Sequence, residues 1–111
     1  MDKISIQVPA NSIYIKSIRL FTSSLASDMD FDIEKIEDIR VVISEALNYK
    51  LNQEDIRIDY FLGEDELKID VYGRDRDLDE KAYAMRDLIL KELADECIIS
   101  EEKISIILRT K

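Results

Sequence analysis

The sequence predicts an α/β (α+β) two-layer sandwich: a four-stranded, largely antiparallel or mixed sheet covered on one face by three helices, in the order β-α-α-β-β-α-β. Three observations carry this prediction. Four short runs alternate apolar and polar residues with a period of two, as half-buried strands do. Three longer stretches repeat apolar residues at helical spacing. The chain has 111 residues, 46% of them hydrophobic, which is enough for one core without disulfide or metal staples. It suits a single domain spanning residues 1–111.

The elements follow in order. Ile4, Ile6 and Val8 alternate with Lys3, Ser5 and Gln7, and Pro9 ends this first strand. Asn11 or Ser12 caps a helix whose apolar residues are Ile13, Ile18, Phe21 and Leu25. The run Asp28-Met29-Asp30-Phe31-Asp32 stops that helix and caps the next. The second helix runs from about Ile33 to Leu51, with Ile36, Ile39, Ile43 and Leu47 as its buried stripe. Val41, Val42 and Ala46 widen the stripe, which predicts cover on more than one side. After a turn over 52–55, Ile56, Ile58, Tyr60 and Leu62 alternate with Arg57, Asp59 and Phe61. A loop at Gly63–Glu66 then leads into Leu67, Ile69 and Val71, and the two runs read as an antiparallel hairpin. A charged loop over 73–79 precedes a helix from about Glu80 to Cys97, with Asp77 and Glu80 spaced as a capping box. Met85, Leu88, Ile89, Leu93 and Cys97 form its expected apolar face. Ile104, Ile106 and Leu108 make the last strand. Phe61, Tyr72 and Ile107 fall on the uncovered sheet face and are the candidate contact surface for a homodimer.

Composition excludes several functions. A net charge of −9 argues against nucleic-acid binding, which needs clustered Lys and Arg. The absence of histidine removes the usual general base, the Ser-His and Cys-His pairs and His metal sites. The single cysteine, Cys97, forms no internal disulfide and reads as a buried structural thiol. No apolar run reaches membrane-spanning length and no basic-then-apolar leader opens the sequence, so a soluble cytoplasmic protein is expected. The two glycines, Gly63 and Gly73, are too few and too far apart for a phosphate-cradling loop.

Two acidic runs have the opening spacing of a calcium loop. Asp28, Asp30 and Asp32 are followed by Ile33 and Ile39 where a glycine and a bidentate glutamate belong. Asp75, Asp77 and Asp79 are followed by Glu80 and Arg86 at those places. Both runs are better read as loops and helix caps, so no metal site is expected. Glu45 differs, because it sits in the apolar run Val41-Val42-Ile43-Ser44-Glu45-Ala46. At the rim of a cleft between the second helix and the sheet it could serve as a general base. The plainer alternative is an ion pair with a Lys or Arg from a neighbouring loop.

The same run resembles the signature helix of the GHKL ATPase superfamily, in its anti-sigma-factor serine protein kinase branch. The opening Ile4-Ser5-Ile6-Gln7-Val8-Pro9-Ala10, the helix Tyr14-Ile15-Lys16-Ser17-Ile18-Arg19 and the approach Asp32-Ile33-Glu34-Lys35-Ile36-Glu37-Asp38 resemble that branch too. So does Leu93-Ala94-Asp95-Glu96-Cys97 followed by a final strand. The resemblance implies a cytoplasmic bacterial regulator that docks onto a sigma factor or onto a small antagonist of the anti-sigma factor. In active members the Glu matching Glu45 is the general base, and an Asn four residues later holds Mg²⁺. An Asp in a first glycine box reads the adenine, and a second glycine box shapes a lid over the phosphates. An Arg matching Arg19 on the first helix contacts the partner protein.

The sequence departs from that pattern around the nucleotide. The position four after Glu45 is Tyr49, and Asn48 comes one residue early, about 100° around the helix. Val71-Tyr72-Gly73-Arg74-Asp75 stands where the first glycine box belongs and lacks its Asp-x-Gly pattern. Only a short charged segment separates Gly73 from the last helix, with no second box and no lid. The expectation is a non-catalytic anti-sigma-factor-like interaction module in transcription control. It would have no resident cofactor, Glu45 as a vestigial general base, Asn48 as the remaining candidate nucleotide contact and Arg19 as the partner contact. The alternatives are an active ATP-dependent serine/threonine protein kinase and a homodimeric α/β domain without nucleotide.

Overall fold

The structure, a computed structural model, describes residues 2–52 and 54–110. Its elements are β1 (Asp2–Val8), α1 (Ile13–Asp28), α2 (Ile33–Tyr49), β2 (Ile56–Leu62), β3 (Glu66–Tyr72), α3 (Glu80–Leu93), β4 (Glu96–Ile99) and β5 (Lys103–Arg109). The class is the expected one, but the sheet has five strands, in the order β1-β2-β3-β5-β4. Every pairing in it is antiparallel.

The period of two sorts each strand's side chains onto two faces, and the register lines them up into rows. Ile6, Ile58, Val71, Ile104 and Ile99 form one inward row, and Ile4, Tyr60, Ile69, Ile106 and Cys97 form the next. Ile18 and Ala26 of α1, Ile39, Val42, Ile43, Ala46 and Leu47 of α2, and Leu90 of α3 join these rows in one core. The Tyr60 ring is wholly buried there, with the Phe21 ring set edge-on at 5.3 Å. Its hydroxyl lies 2.6 Å from Thr22 Oγ1, which in turn donates to the Ile18 carbonyl at 2.8 Å. That chain of hydrogen bonds ties the middle of α1 to the middle of the sheet. Burial pushes the Tyr60 phenol up to about 12, so it stays a neutral donor.

Helix ends follow local chemistry. Asp32 caps α2 by accepting from Lys35 N at 2.8 Å. Asp30 takes a positive φ of 65° in the α1–α2 turn, a conformation that Asp tolerates better than most residues. Asp79, two residues past the expected Asp77, caps α3 by accepting from Ala82 N. Ser12 is the N-cap of α1 but makes no side-chain cap, whereas Asn11 Oδ1 accepts from Ile13 N at 3.0 Å.

Three expectations are corrected. The last helix ends at Leu93, and Cys97 lies in a strand. Asp95 makes the change of course: its N–H donates to the Ile107 carbonyl at 3.0 Å. Its carboxylate accepts from Arg109 N at 2.8 Å and from Lys35 Nζ at 2.7 Å. The chain therefore joins the β5 edge, and a turn around Ser100 and Lys103 completes a β4–β5 hairpin. The apolar face of α3 is also rotated from the expected one, since Met85 and Leu88 are exposed while Arg86 and Leu90 are buried. Tyr and Arg side chains can turn inward when their polar ends find partners, and here they do. On the first two helices, Ile13 and Val41 face solvent rather than the core.

Asp95 gives the fold a pH dependence with a definite sign. Burial opposes its ionisation, but the Lys35 ammonium and the Arg109 N–H outweigh burial and hold the carboxyl below its usual range. Its stabilising contribution is thus complete above about pH 4 and fades as pH falls through the depressed folded-state value. Asp95→Asn is expected to cost about 1 kcal/mol at neutral pH, discounted for its partial exposure. The gap between variant and parent should close in strong acid, as read by urea melts across a pH series.

Candidate functional site

Helix α2 lies between α1 and α3, so its outer ridge borders two grooves. Glu45 stands on that ridge. It is half-buried and lines a cleft of about 520 Å³ toward α1, with Arg19, Leu20, Arg40, Val41 and Ser44 among its neighbours. On its other side it lines a depression of about 290 Å³ with Asn48, Tyr49, Arg76, Leu78 and Ala82. The expected cleft between α2 and the sheet is filled by core side chains, and Glu45 points away from it. No Lys or Arg among the described residues comes within ion-pairing distance of Glu45. The expected loop ion pair is therefore absent among them.

The helical step from Asn48 to Tyr49 decides what faces α3. Asn48 is exposed, while Tyr49 turns inward and is 8% exposed. The Tyr49 hydroxyl donates to the Ala82 carbonyl at 2.8 Å, pinning α2 to the first turn of α3. Burial raises its pKa, the neighbouring Glu45 carboxylate adds to the rise, and Arg86 partly opposes it. The Arg86 guanidinium sits 5.1 Å from the centre of the Tyr49 ring and 4.9 Å from that of Tyr83.

Beneath this stack lies a buried charge cluster that the sequence reading missed. Lys50, the residue after α2, is fully buried, with its Nζ 2.7 Å from Asp75 Oδ1 and 3.4 Å from the Glu101 carbonyl. Arg86 reaches the other oxygen of Asp75 at 3.7 Å. One carboxylate thus serves two buried cations. Gly73 lets the chain close over them, because a Cβ there would lie 3.2 Å from Lys50 Cβ.

The segment 73–79 is fastened down as a strap. Arg76 N donates to the Tyr49 carbonyl at 2.9 Å, and Asn52 Nδ2 donates to the Asp75 carbonyl at 2.8 Å. The Tyr83 hydroxyl donates to the Arg76 carbonyl and accepts from Leu78 N. The clue in the sequence was Arg86, which falls three residues from Tyr83 and four from Leu90 on one face of α3.

The remaining candidates lie apart. Arg19 is half-buried on α1, without a carboxylate within ion-pairing distance among the described residues, and shares the α1–α2 cleft with Glu45. Phe61, Tyr72 and Ile107 lie on the open sheet face, away from that cleft. Phe61 has Lys3 and Lys68 over its ring, and Tyr72 has Arg57 and Lys103. Asp59 and Asp70 sit directly opposite one another between these aromatics, each 2% exposed. Such a like-charge pair is unfavourable alone. Here Ser5 Oγ donates to Asp59 at 2.7 Å, Ser105 Oγ donates to Asp70 at 2.6 Å, and the four cations flank the pair. A second copy packed on this face would have to desolvate those charges. Both acidic runs serve as caps and loops, and no cluster with metal-ligand geometry occurs among the described residues.

Comparison with known proteins finds sequences and a structure similar to this chain. No protein-family model matches the chain. It is 36% identical over 77 residues to the serine-protein kinase RsbW of Listeria monocytogenes serovar 1/2a, covering 63% of this chain and 49% of that protein. It is 33% identical over 85 residues to the protein of the same name from Oceanobacillus iheyensis, covering 70% and 54%. The chain spans about half the length of the curated relatives it matches. Among solved structures, that of the RsbU and RsbW domains of a Mycobacterium tuberculosis protein superposes with a TM-score of 0.75 at 16% identity. That match covers 98% of this chain and 32% of the other, and it shows a shared fold.

The shared carboxylate predicts an asymmetry between two variants. Asp75→Ala leaves the fully buried Lys50 without a counter-charge and Arg86 with Asp87 alone, and is expected to cost about 3–5 kcal/mol. Lys50→Met leaves Asp75 with Arg86 and partial solvent access, and is expected to cost about 1–2 kcal/mol. Guanidinium unfolding of the two variants and the parent checks the order.

Proposed function

Starting from a chain related to the anti-sigma-factor serine kinase branch of the GHKL ATPase superfamily, we propose a regulator that works by binding and has given up nucleotide chemistry. The partner is a sigma factor or an antagonist of the anti-sigma factor, and the biological setting is bacterial transcription control. The observation that carries the reading is the inward turn of Tyr49. At the position where the active branch places its Mg²⁺-holding Asn, this chain has a phenol hydrogen-bonded to α3.

The other groups present fit Mg-ATP no better. Asn48 is exposed on the outer edge, and Asp70 is committed to Ser105 and Lys103 on the far side of the sheet. The strap over 73–79 lies closed on Lys50 where the branch has its glycine box and lid. The two inward cations of the region already share Asp75. The depression left beside Glu45, about 290 Å³, is at the lower end of ligand-site volumes. Glu45 on this reading is a relic of the general base, retained on a helix whose packing residues still hold the fold.

A second reading, an active kinase with a minimal site, draws on one observation. Glu45 is reachable from solvent and has no cation paired to it among the described residues.

Thermal unfolding separates the two. A nucleotide at a hundred times its Kd would raise the melting temperature by about 10 °C. No shift is expected with Mg-ATP, and a clear shift that Glu45→Ala removes would establish the kinase reading instead. For the docking role, Arg19→Ala is expected to weaken capture of purified sigma factors or antagonists about tenfold or more without changing the melting temperature. Unchanged capture would remove Arg19 from the interface.

A further inference from the structure

The α1–α2 cleft beside Glu45 does not stop at Glu45. A second depression of about 390 Å³ continues it toward the start of α2, and both are lined by Leu20, Glu37 and Arg40. Together they form one groove along α2 from Glu45 back to Ile33, a span of about 18 Å at the helical rise. Three apolar side chains stand open along it. Leu20 is 56% exposed, Val41 46% and Ile33 79%. Exposed apolar residues gathered in one groove mark a contact surface rather than scatter.

The charges along this groove are not equivalent. Arg40 is already satisfied, donating to Glu37 at 2.9 Å and to Ser23 Oγ at 3.0 Å. Arg19 and Glu45, at the far end, have no oppositely charged partner within ion-pairing distance among the described residues. Among the described residues, the groove thus offers an apolar stripe ending in a cation and an anion on opposite walls, neither of them ion-paired. That pattern matches an amphipathic helix laid lengthwise, with apolar anchors at i, i+3/i+4 and i+7.

We propose that the α1–α2 groove is the docking site for an amphipathic α-helix of a partner protein. The helix carries a carboxylate for Arg19, a cation for Glu45, and apolar residues against Leu20, Val41 and Ile33. Glu45 thereby acts as a docking charge. The inference deepens the reading of the chain as a binding regulator and rests on it for the identity of the partner.

The test uses the whole chain and two kinds of probe. One is a labelled amphipathic peptide about 18 residues long, five helical turns, with Leu on one face and one Asp and one Lys at its border. The other is a set of purified sigma factors, and binding is read by fluorescence anisotropy. The groove is expected to bind the peptide, and Val41→Asp to weaken binding about 30-fold or more. Val41 is open to solvent, so far-UV circular dichroism and melting temperature should match the parent. Charge reversal is the sharper arm: a peptide with its Lys changed to Glu should bind Glu45→Lys better than the parent chain.

Absence of peptide binding, equal binding by Val41→Asp, or no rescue by Glu45→Lys would each overturn the proposal. A sigma factor that binds the parent and Val41→Asp equally would overturn the groove and leave the regulator reading standing. Peptide binding with the expected losses, but no sigma factor bound, would support the groove and count against that choice of partner.

Discussion

Asp75 is the constraint on which the α2–α3 side of the molecule depends. Two cations, Lys50 and Arg86, are buried, and the counter-charge they share comes from the strap over 73–79. A buried cation is costly unless paired, so strap and cations must be placed together. That requirement explains the neighbours. Gly73 allows the close approach to Lys50, Tyr49 and Tyr83 cover the guanidinium, and the Asn52 amide holds the Asp75 carbonyl. Both cations of the cluster are committed to Asp75, and Arg86 to Asp87 as well.

The sheet solves a different problem with the same alternating strands. Its inner face is a set of apolar rows, and its outer face is a polar lattice in which two adjacent aspartates are surrounded by hydroxyls and cations. The aromatic residues on that outer face lie beneath cations. An open groove with exposed apolar residues lies between α1 and α2, where Leu20 and Val41 are uncovered. The fold therefore separates a charged sheet face from a helical face with unsatisfied apolar surface.

Glu45 stands between the α1–α2 groove and the α2–α3 side. On the outer ridge of α2 it looks into the α1 groove and toward Tyr49 at once. Its place on that ridge follows from the helical register that turns Ile43, Ala46 and Leu47 into the core. A carboxylate beside exposed apolar surface has the makings of a recognition site.

Much of this was legible in the residues themselves. The strand alternation of Ile56–Leu62 and Leu67–Val71, the cap at Asp32 and the α2 stripe Ile39-Ile43-Leu47 are local patterns, and they fixed the class and most element positions. β4 was not seen, because four residues, Glu96–Ile99, directly follow a helix and continue its apolar spacing. The β-branched pair Ile98-Ile99 before Ser100-Glu101-Glu102 was the available hairpin signal. The phase of α3 was misread for a related reason: a hydrophobicity pattern counts Met85 and Leu88 as inside and Arg86 as outside. Only the tertiary structure supplies the partners that reverse this, namely Asp75 for Arg86 and the edge of β5 for β4. Sequence by itself determined the strand and helix periods, and hence the two-layer sandwich. Three-dimensional packing decided which polar residues could afford burial, because that depends on counter-charges distant in the chain.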